Sequence, residues 1–453
     1  MKKISTYLAF LGFCIGTGAA CHAPKASGPA VRHVVLISID GSRPAFYTDT
    51  AAWHAPVLHR LMEKGVYAAD GIQSVFPSLT APSHATLITG AYPARHGIYY
   101  NNPPGKQDPH AYWYDSAIQV KTLWDAVKEK GLTAAAIRWP ITLGAPVRYN
   151  APVKYAKTVD GHLQFSHQQP QSLMADFEKA RGRALTRADL GHKNGAVQKT
   201  LGQLANYIIS TYRPNLVALH LGVDHREHVH GKNAPEVKEG LQVVDSVIGS
   251  IVATLKHSGL WDSTALIITG DHGHENTRAI FQPNVYLAQH GWLKDGQARF
   301  HGAGGSAFLY LKDRKDTTLV DRIKKVLSQS PEGQQQLFRF IDRPELDRMG
   351  AAPQPVLALA MKPGYLARSG VKGKALKTDV GGSAHGYDPT YPTMHTTFIA
   401  VGTGIGPHQN IAGMGIKDIA PLVAQLLQLD LNAPDGKLMP GILAATKQGS
   451  VPE

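Results

Sequence analysis

The sequence predicts an α/β protein built around a doubly wound, mostly parallel central sheet. Short apolar runs rich in β-branched residues recur along the chain, and longer stretches with helical spacing separate them. Strands that alternate with helices point to a parallel α/β architecture. Size and composition agree: 453 residues, 43% hydrophobic and 18% charged, supply enough apolar material for a large core.

The N-terminus stands apart from that fold. MKKISTYLAFLGFCIGTGAAC places Lys2 and Lys3 ahead of an apolar run from Tyr7 to Ile15, followed by small residues. This reads as a bacterial-type export signal over residues 1–21, with an apolar run too short to span a bilayer permanently. Gly18-Ala19-Ala20-Cys21 resembles a lipoprotein cleavage box, which would tether the protein to a membrane through a lipidated Cys21. Cleavage near Ala20 or Ala23 would instead release a free periplasmic protein. Cys14 and Cys21 are the two cysteines, so the mature chain offers neither a thiol nucleophile nor an internal disulfide.

Residues 22–30 read as a linker, and a catalytic domain is expected over 31–435, followed by a tail (436–453). HVVLISI (33–39) reads as a fully buried strand. Similar runs are LTAAAI (132–137), NLVALHL (215–221), TALIITG (264–270), SAFLYL (306–311), PVLALAM (355–361) and TTFIAVG (396–402). Helical patterns fall at 122–131, 194–212, 236–259, 317–329 and 417–429. Residues 274–384 are less regular, with many Gly, Pro and charged residues, and are expected to hold an irregular insert or small subdomain. The net charge of +13 is diffuse. That argues against nucleic acid as a specific partner and favours small anionic substrates or an anionic membrane face.

In open α/β sheets, ligands bind beyond the carboxyl ends of the strands. Asp40 follows the first run, Asp224 follows NLVALHL after Gly-Val, and Asp271-His272 follow TALIITG. Three strands thus deliver carboxylates to one edge. In VDHREHVHG (223–231), Asp224 and His228 share a helical face at i, i+4, while His225 and His230 point elsewhere. In GDHGHE (270–275), Asp271 and His272 are adjacent on a tight turn, where both can reach one metal. His274 is expected outside the ligand set or in solvent. His385, in GGSAHGYD (381–388), is the last candidate ligand.

Asp and His together suit zinc, with manganese or iron as alternatives. Six such ligands suit two ions, and two ions about 4 Å apart suit in-line displacement at phosphorus. In FPSLTAPSHATLIT (76–89), Thr80 lies just ahead of an expected helix. A plain cap is the ordinary role there. Beside a metal, its hydroxyl would lose its proton more readily and the helix N-terminus would favour the anion, so Thr80 reads as a nucleophile.

In order along the chain, SIDGSRP, FPSLTAPSHATLITGAYPARHGIYYN, VDHREHVHG, GDHG and HGYD resemble the alkaline phosphatase superfamily. Within it they are most similar to the type I phosphodiesterase and nucleotide pyrophosphatase group. The resemblance implies an alkaline-phosphatase-like fold and two zinc sites. One would be held by Asp224, His228 and His385. The other would be held by Asp40, Asp271 and His272, with Thr80 as fourth ligand and nucleophile. The resemblance also implies that Asn101, or neighbouring Asn102, donates to a non-bridging phosphate oxygen. The mechanism it implies is a covalent phospho-threonine intermediate, then attack by zinc-bound hydroxide with inversion at each step.

Sulfatases fit less well, because Thr80-Ala81-Pro82-Ser83-His84 lacks both the cysteine and the arginine of their motif. Phosphate-independent mutases use a serine. Ala81 stands where nucleotide pyrophosphatases commonly carry a Phe that stacks on the base, so the nucleotide assignment is weaker than the phosphodiesterase one. Trp139 and Tyr149 are candidates for lining the pocket. The expected function is therefore a binuclear zinc phosphodiesterase or nucleotide pyrophosphatase acting on small phosphodiesters. One alternative is a phosphomonoesterase on the same scaffold, which needs extra positive charge from an arginine such as Arg43 or Arg95. The other is a metal-stabilised surface protein that binds an anion without turnover.

Overall fold

HVVLISID is apolar or small at all but its ends, so neither face of the strand can be left to water. It becomes β1 (His33–Asp40), buried at every position, in the middle of the main sheet. The computed structural model describes residues 30–104, 108, 110–152 and 167–445. The expected export signal, Cys21 and all but the last residue of the expected linker lie outside the described residues.

Seven further strands complete the sheet: β2 (Val66–Tyr67), β3 (Ala134–Ile137), β4 (Tyr149–Ala151), β5 (Leu216–Gly222), β6 (Thr264–Gly270), β7 (Phe398–Gly402) and β8 (Gln409–Asn410). Their spatial order is β8-β2-β7-β6-β1-β5-β3-β4. β1 runs parallel to both neighbours, with Val35 opposite Val217 of β5 and Leu266 of β6. β7 is the antiparallel member, between β6 and β2. Because side chains alternate along a strand, Val35, Ile37 and Ile39 enter one core layer and Val34 and Leu36 the other.

Helices cover both layers. On the Val35 side lie α1 (Pro56–Lys64), α4 (Ala196–Tyr212) and α6 (Pro235–His257). They bury Leu58, Leu201, Ile208, Leu241 and Ile248. On the Val34 side lie α2 (Thr80–Thr89), α3 (Leu123–Glu129) and α7 (Ile419–Leu427), through Leu87, Trp124 and Leu422. Each such side chain is worth about 1.5–3 kcal/mol when buried. A seventh helix of this set, α5 (Asp224–His230), is short and starts directly after β5. Among the described residues, no helix is long and apolar enough to cross a membrane.

SAFLYL and PVLALAM do not join the main sheet. Together with Ala298–Gly302 and Phe338–Asp342 they form a separate four-stranded antiparallel sheet. Chain length explains this. Only Ala303–Gly305 connect Ala298–Gly302 to Ser306–Leu311, and a parallel crossover needs a dozen or more residues. The helix Thr317–Gln329 packs on this sheet through Leu319, Ile323 and Leu327. The stretch leaves and rejoins the rest of the chain at a short antiparallel ladder, Glu275–Asn276 against Ser383–Ala384. The described residues, from 30 to 445, fall within a single unit. The packed chain continues past Asp435: Ile442 is fully buried, and its carbonyl accepts from Gly406 N at 2.8 Å.

Candidate metal centre and active site

The register of the sheet creates the site. Asp40, the last residue of β1, lies opposite Gly222 of β5, and Ile39 lies opposite Gly270 of β6. Asp224 and Asp271 follow those two glycines by one or two residues, so three carboxylates emerge at one edge. Gly41 then turns the chain with φ 75°, and a Cβ there would collide with Glu227 Oε2. Its amide donates to Asp271 Oδ1 at 3.2 Å.

Among the described residues three groups of ligand atoms result; one, His84, His220 and Asp271, shares Asp271 with one of the two that hold the expected ligands. In the first of those two, donor atoms of Asp224, His228, His274 and His385 lie within 4.8 Å of one another. His228 Nε2 is 3.1 Å and His385 Nε2 3.9 Å from Asp224 Oδ1. The short ladder at 383–384 carries His385 back to this edge, where its ring stacks on His272 with centroids 3.8 Å apart. The second group is Asp40, Asp271 and His272, again within 4.8 Å. His272 Nε2 lies 3.6 Å from Asp40 Oδ1 and 3.3 Å from Asp271 Oδ2.

Thr80 is the first residue of α2, not a residue ahead of it, and its Oγ1 is 3.2 Å from His272 Nε2. Asn101 accepts from the amide of Ala81 through Oδ1 at 2.9 Å. That bond occupies Oδ1 and does not use the Nδ2 group. Asn102 shares the same cavity wall.

The residues present fit divalent cations. Asp40 Oδ1, Asp271 Oδ2 and Glu227 Oε2 are buried without a hydrogen-bond partner. Burial pushes Asp40 up to about 7, and the Asp224 charge adds to it. Burial, then the charges of Asp40 and Asp224, hold Asp271 well above the usual carboxylate range. Burial resists the charged form of Asp224, but the neighbouring imidazoles of His228 and His274 outweigh it and hold the carboxyl below its usual range. Burial drives His272 and His385 down to about 3, so both imidazoles remain neutral donors. Burial opposes the charged form of His228 as well, but the Asp224 carboxylate beside it raises it to about 9, a positive charge that a bound metal would replace.

A cavity of about 330 Å³ opens beside these groups. Its wall includes Leu79, Tyr100, Asn101, His301, Arg368 and His385. Trp139 and Tyr149 are absent from it. Trp139 is buried against His84 and Trp124, and Tyr149 stacks on Tyr212 at 4.2 Å. Ala81 packs with Ile98 and Tyr112. Arg43 pairs with Glu227 at 3.2 Å and Arg95 with Asp435 at 3.0 Å, so the arginine in the cavity wall is Arg368. His225 stacks on His192, and His230 faces Glu236 at 3.7 Å, so neither joins the ligand groups.

Two histidines near the site, His220 and His84, have no counterpart in the sequence expectations, and a third, His274, is expected there outside the ligand set or in solvent. His274 is fully buried, with Nε2 2.6 Å from Asp224 Oδ1. The available signal was spacing: residues two apart on extended backbone share a side, so His272 and His274 turn the same way. His220, inside β5, sits 3.1 Å from Asp40 Oδ2. His84, one helical turn after Thr80, has Nδ1 2.8 Å from the Thr80 carbonyl. Nothing in the local pattern separates these two from ordinary core histidines.

The family model described as type I phosphodiesterase / nucleotide pyrophosphatase matches residues 34–388. Ectonucleotide pyrophosphatase/phosphodiesterase family member 5 of Homo sapiens is 23% identical over 418 residues, covering 88% of this chain and 75% of that protein. Bis(5'-adenosyl)-triphosphatase enpp4 of Mus musculus is 23% identical, covering 93% and 82%. The venom phosphodiesterase of Macrovipera lebetinus is 24% identical, covering 87% of this chain but 43% of its own length. Among solved structures, human ectonucleotide pyrophosphatase/phosphodiesterase 5 superposes with a TM-score of 0.63 at 20% identity, covering 89% of this chain and 97% of that one. The fold is thus that of this relative, and the chain belongs to the type I phosphodiesterase / nucleotide pyrophosphatase family.

Proposed function

We propose that this protein is a phosphoric diester hydrolase that cleaves small phosphodiesters or nucleotide pyrophosphates with Thr80 as nucleophile. The observation that carries the reading is the Thr80 hydroxyl, at a helix N-terminus, 3.2 Å from His272 and beside two groups of metal-type donors. Asp224, His228 and His385 would hold one divalent ion, and Asp40, Asp271, His272 and Thr80 the other, with zinc favoured by the donor chemistry. When bound, the ions supply Lewis-acid charge to the reacting oxygens.

The chain's own groups do the rest. Thr80 Oγ1 attacks phosphorus and the P–O bond to the leaving group breaks, so one ester limb stays on Thr80 as a covalent diester. Water then displaces Thr80, releasing a monoester and returning the hydroxyl. The α2 N-terminus favours negative charge on Thr80 Oγ1. Asn101 Nδ2 donates to a non-bridging oxygen as charge grows there. Tyr100, His301 and Arg368 line the space for one limb of the substrate. A solved structure of the mouse member 5 is described as an inactive threonine-to-alanine variant in complex with AMP, which supports both a threonine nucleophile and a nucleotide-like limb. The leader motif supports export to the periplasm, free or tethered through Cys21.

A phosphomonoesterase is the second reading, because Arg368 puts a cation in the cavity wall. Rates on bis-p-nitrophenyl phosphate and p-nitrophenyl phosphate separate the two: we expect the diester to be preferred, and a strong monoester preference reverses the assignment. Thr80→Ala should lower diester turnover at least about a thousandfold while the protein keeps its metal. Retained turnover, or a wild-type protein with none, would reject the catalytic reading.

A further inference from the structure

The donor atoms around Asp224 carry more information than their distances. Ser383 Oγ donates its one proton to the Glu227 carbonyl at 2.7 Å. Toward His274 Nδ1, 3.0 Å away, it can therefore only accept. His274 thus carries its N–H on Nδ1 and presents the Nε2 lone pair to Asp224 Oδ1 at 2.6 Å. The same bookkeeping holds for the other two histidines. His228 Nδ1 lies 2.8 Å from the Ser383 carbonyl and His385 Nδ1 3.1 Å from the Ser78 carbonyl, so both are donors. In the neutral form that a metal ligand must take, each turns an Nε2 lone pair to the same carboxylate oxygen.

Three lone pairs and a carboxylate converge within 4.8 Å. Acceptors do not face one another this closely unless something positive lies among them. An imidazole whose far nitrogen is pinned to a protein acceptor is also the usual form of a metal-bound histidine.

We propose that His274 is a fourth protein ligand of the ion at Asp224, giving a three-histidine, one-aspartate site for a divalent cation of zinc-like softness. This rests on the reading of that group as a metal site given above. Its consequence is an asymmetry between the two ions. Four protein donors fill a tetrahedral shell, as in sites that hold structure together. The ion at Asp40, Asp271 and His272 has three such donors and keeps its fourth place for Thr80. Substrate reaches the Asp224 ion only if its shell expands or His274 lets go.

The competing arrangement puts a proton between His274 and Asp224, with His274 orienting the ligand from outside the shell. His274→Gln distinguishes the two, because the amide can still donate to Asp224 but offers no imidazole nitrogen. Metal-stripped wild type, His274→Gln and His274→Ala are titrated with Zn2+ against a chromophoric chelator. We expect one of two sites to weaken at least about a hundredfold in both variants and the other to hold. Zinc-edge absorption spectroscopy of the loaded wild type should show more imidazole scattering than His274→Gln, and the wild-type spectrum also serves if a variant fails to fold. Unchanged affinity at both sites in His274→Gln, or a wild-type imidazole count without His274, overturns the assignment. Diester turnover measured in parallel shows whether the proposed function survives that outcome; a wild type that binds no metal sinks both.

Discussion

Asn101 reaches the site through one specific contact. Its Oδ1 accepts from the Ala81 amide, next to Thr80, and in the proposed mechanism its Nδ2 donates to a phosphate oxygen. Asn101→Ala should lower kcat on a diester by about 10²–10³ and leave metal content unchanged, since loss of one preorganised donor costs about that much. A fall in bound metal instead would show that Asn101 shapes the ligand groups. Residue by residue, the convergence of the six candidate Asp and His ligands was legible because each follows an apolar run or sits in a distinctive His-containing loop. His220 was not, because its partner Asp40 is 180 positions away and a histidine inside a strand carries no local mark. His274 is expected outside the ligand set or in solvent because the backbone after Asp271 reads as a turn; it is fully buried, and Glu275–Asn276 already pair as strand.

At the scale of elements, helix boundaries came close to those expected from periodicity, as at 317–329. The short edge strands β2 and β8, two residues each, have no periodicity to read. Nor can an apolar run declare which sheet it joins. SAFLYL and TALIITG are both buried throughout most of their length, and the connection lengths around them decide their fate. Helix ends also depend on distant residues. α1 begins at Pro56 without a side-chain cap of its own. Its first free amides, Val57 N and Leu58 N, donate instead to Asp245 of α6 at 3.0 and 2.8 Å. Asp245→Ala should destabilise the protein by about 2 kcal/mol in urea titrations, the scale of hydrogen bonds to a buried charge left unmade. A change within about 0.5 kcal/mol would mean that water caps α1 equally well.

At the scale of the whole molecule, the proposed ligand residues come from parts of the chain that are far apart in sequence. Asp40, Asp224 and Asp271 end or follow three strands of the main sheet, and His385 arrives from the ladder that closes the 275–384 excursion. Metal binding should therefore brace the fold. With free zinc a hundredfold above its dissociation constant, the bound form gains about 2.7 kcal/mol over the stripped one. Calorimetry with and without a chelator should show a lower Tm for the stripped protein, restored by adding zinc back. Equal Tm values would mean that the site does not hold metal tightly. The most direct test of the central claim is an anomalous difference map, at the zinc edge, from crystals of the zinc-loaded protein. The account predicts two peaks about 4 Å apart, one among Asp224, His228 and His385 and the other among Asp40, Asp271, His272 and Thr80. A single peak, or none touching Thr80, would contradict it.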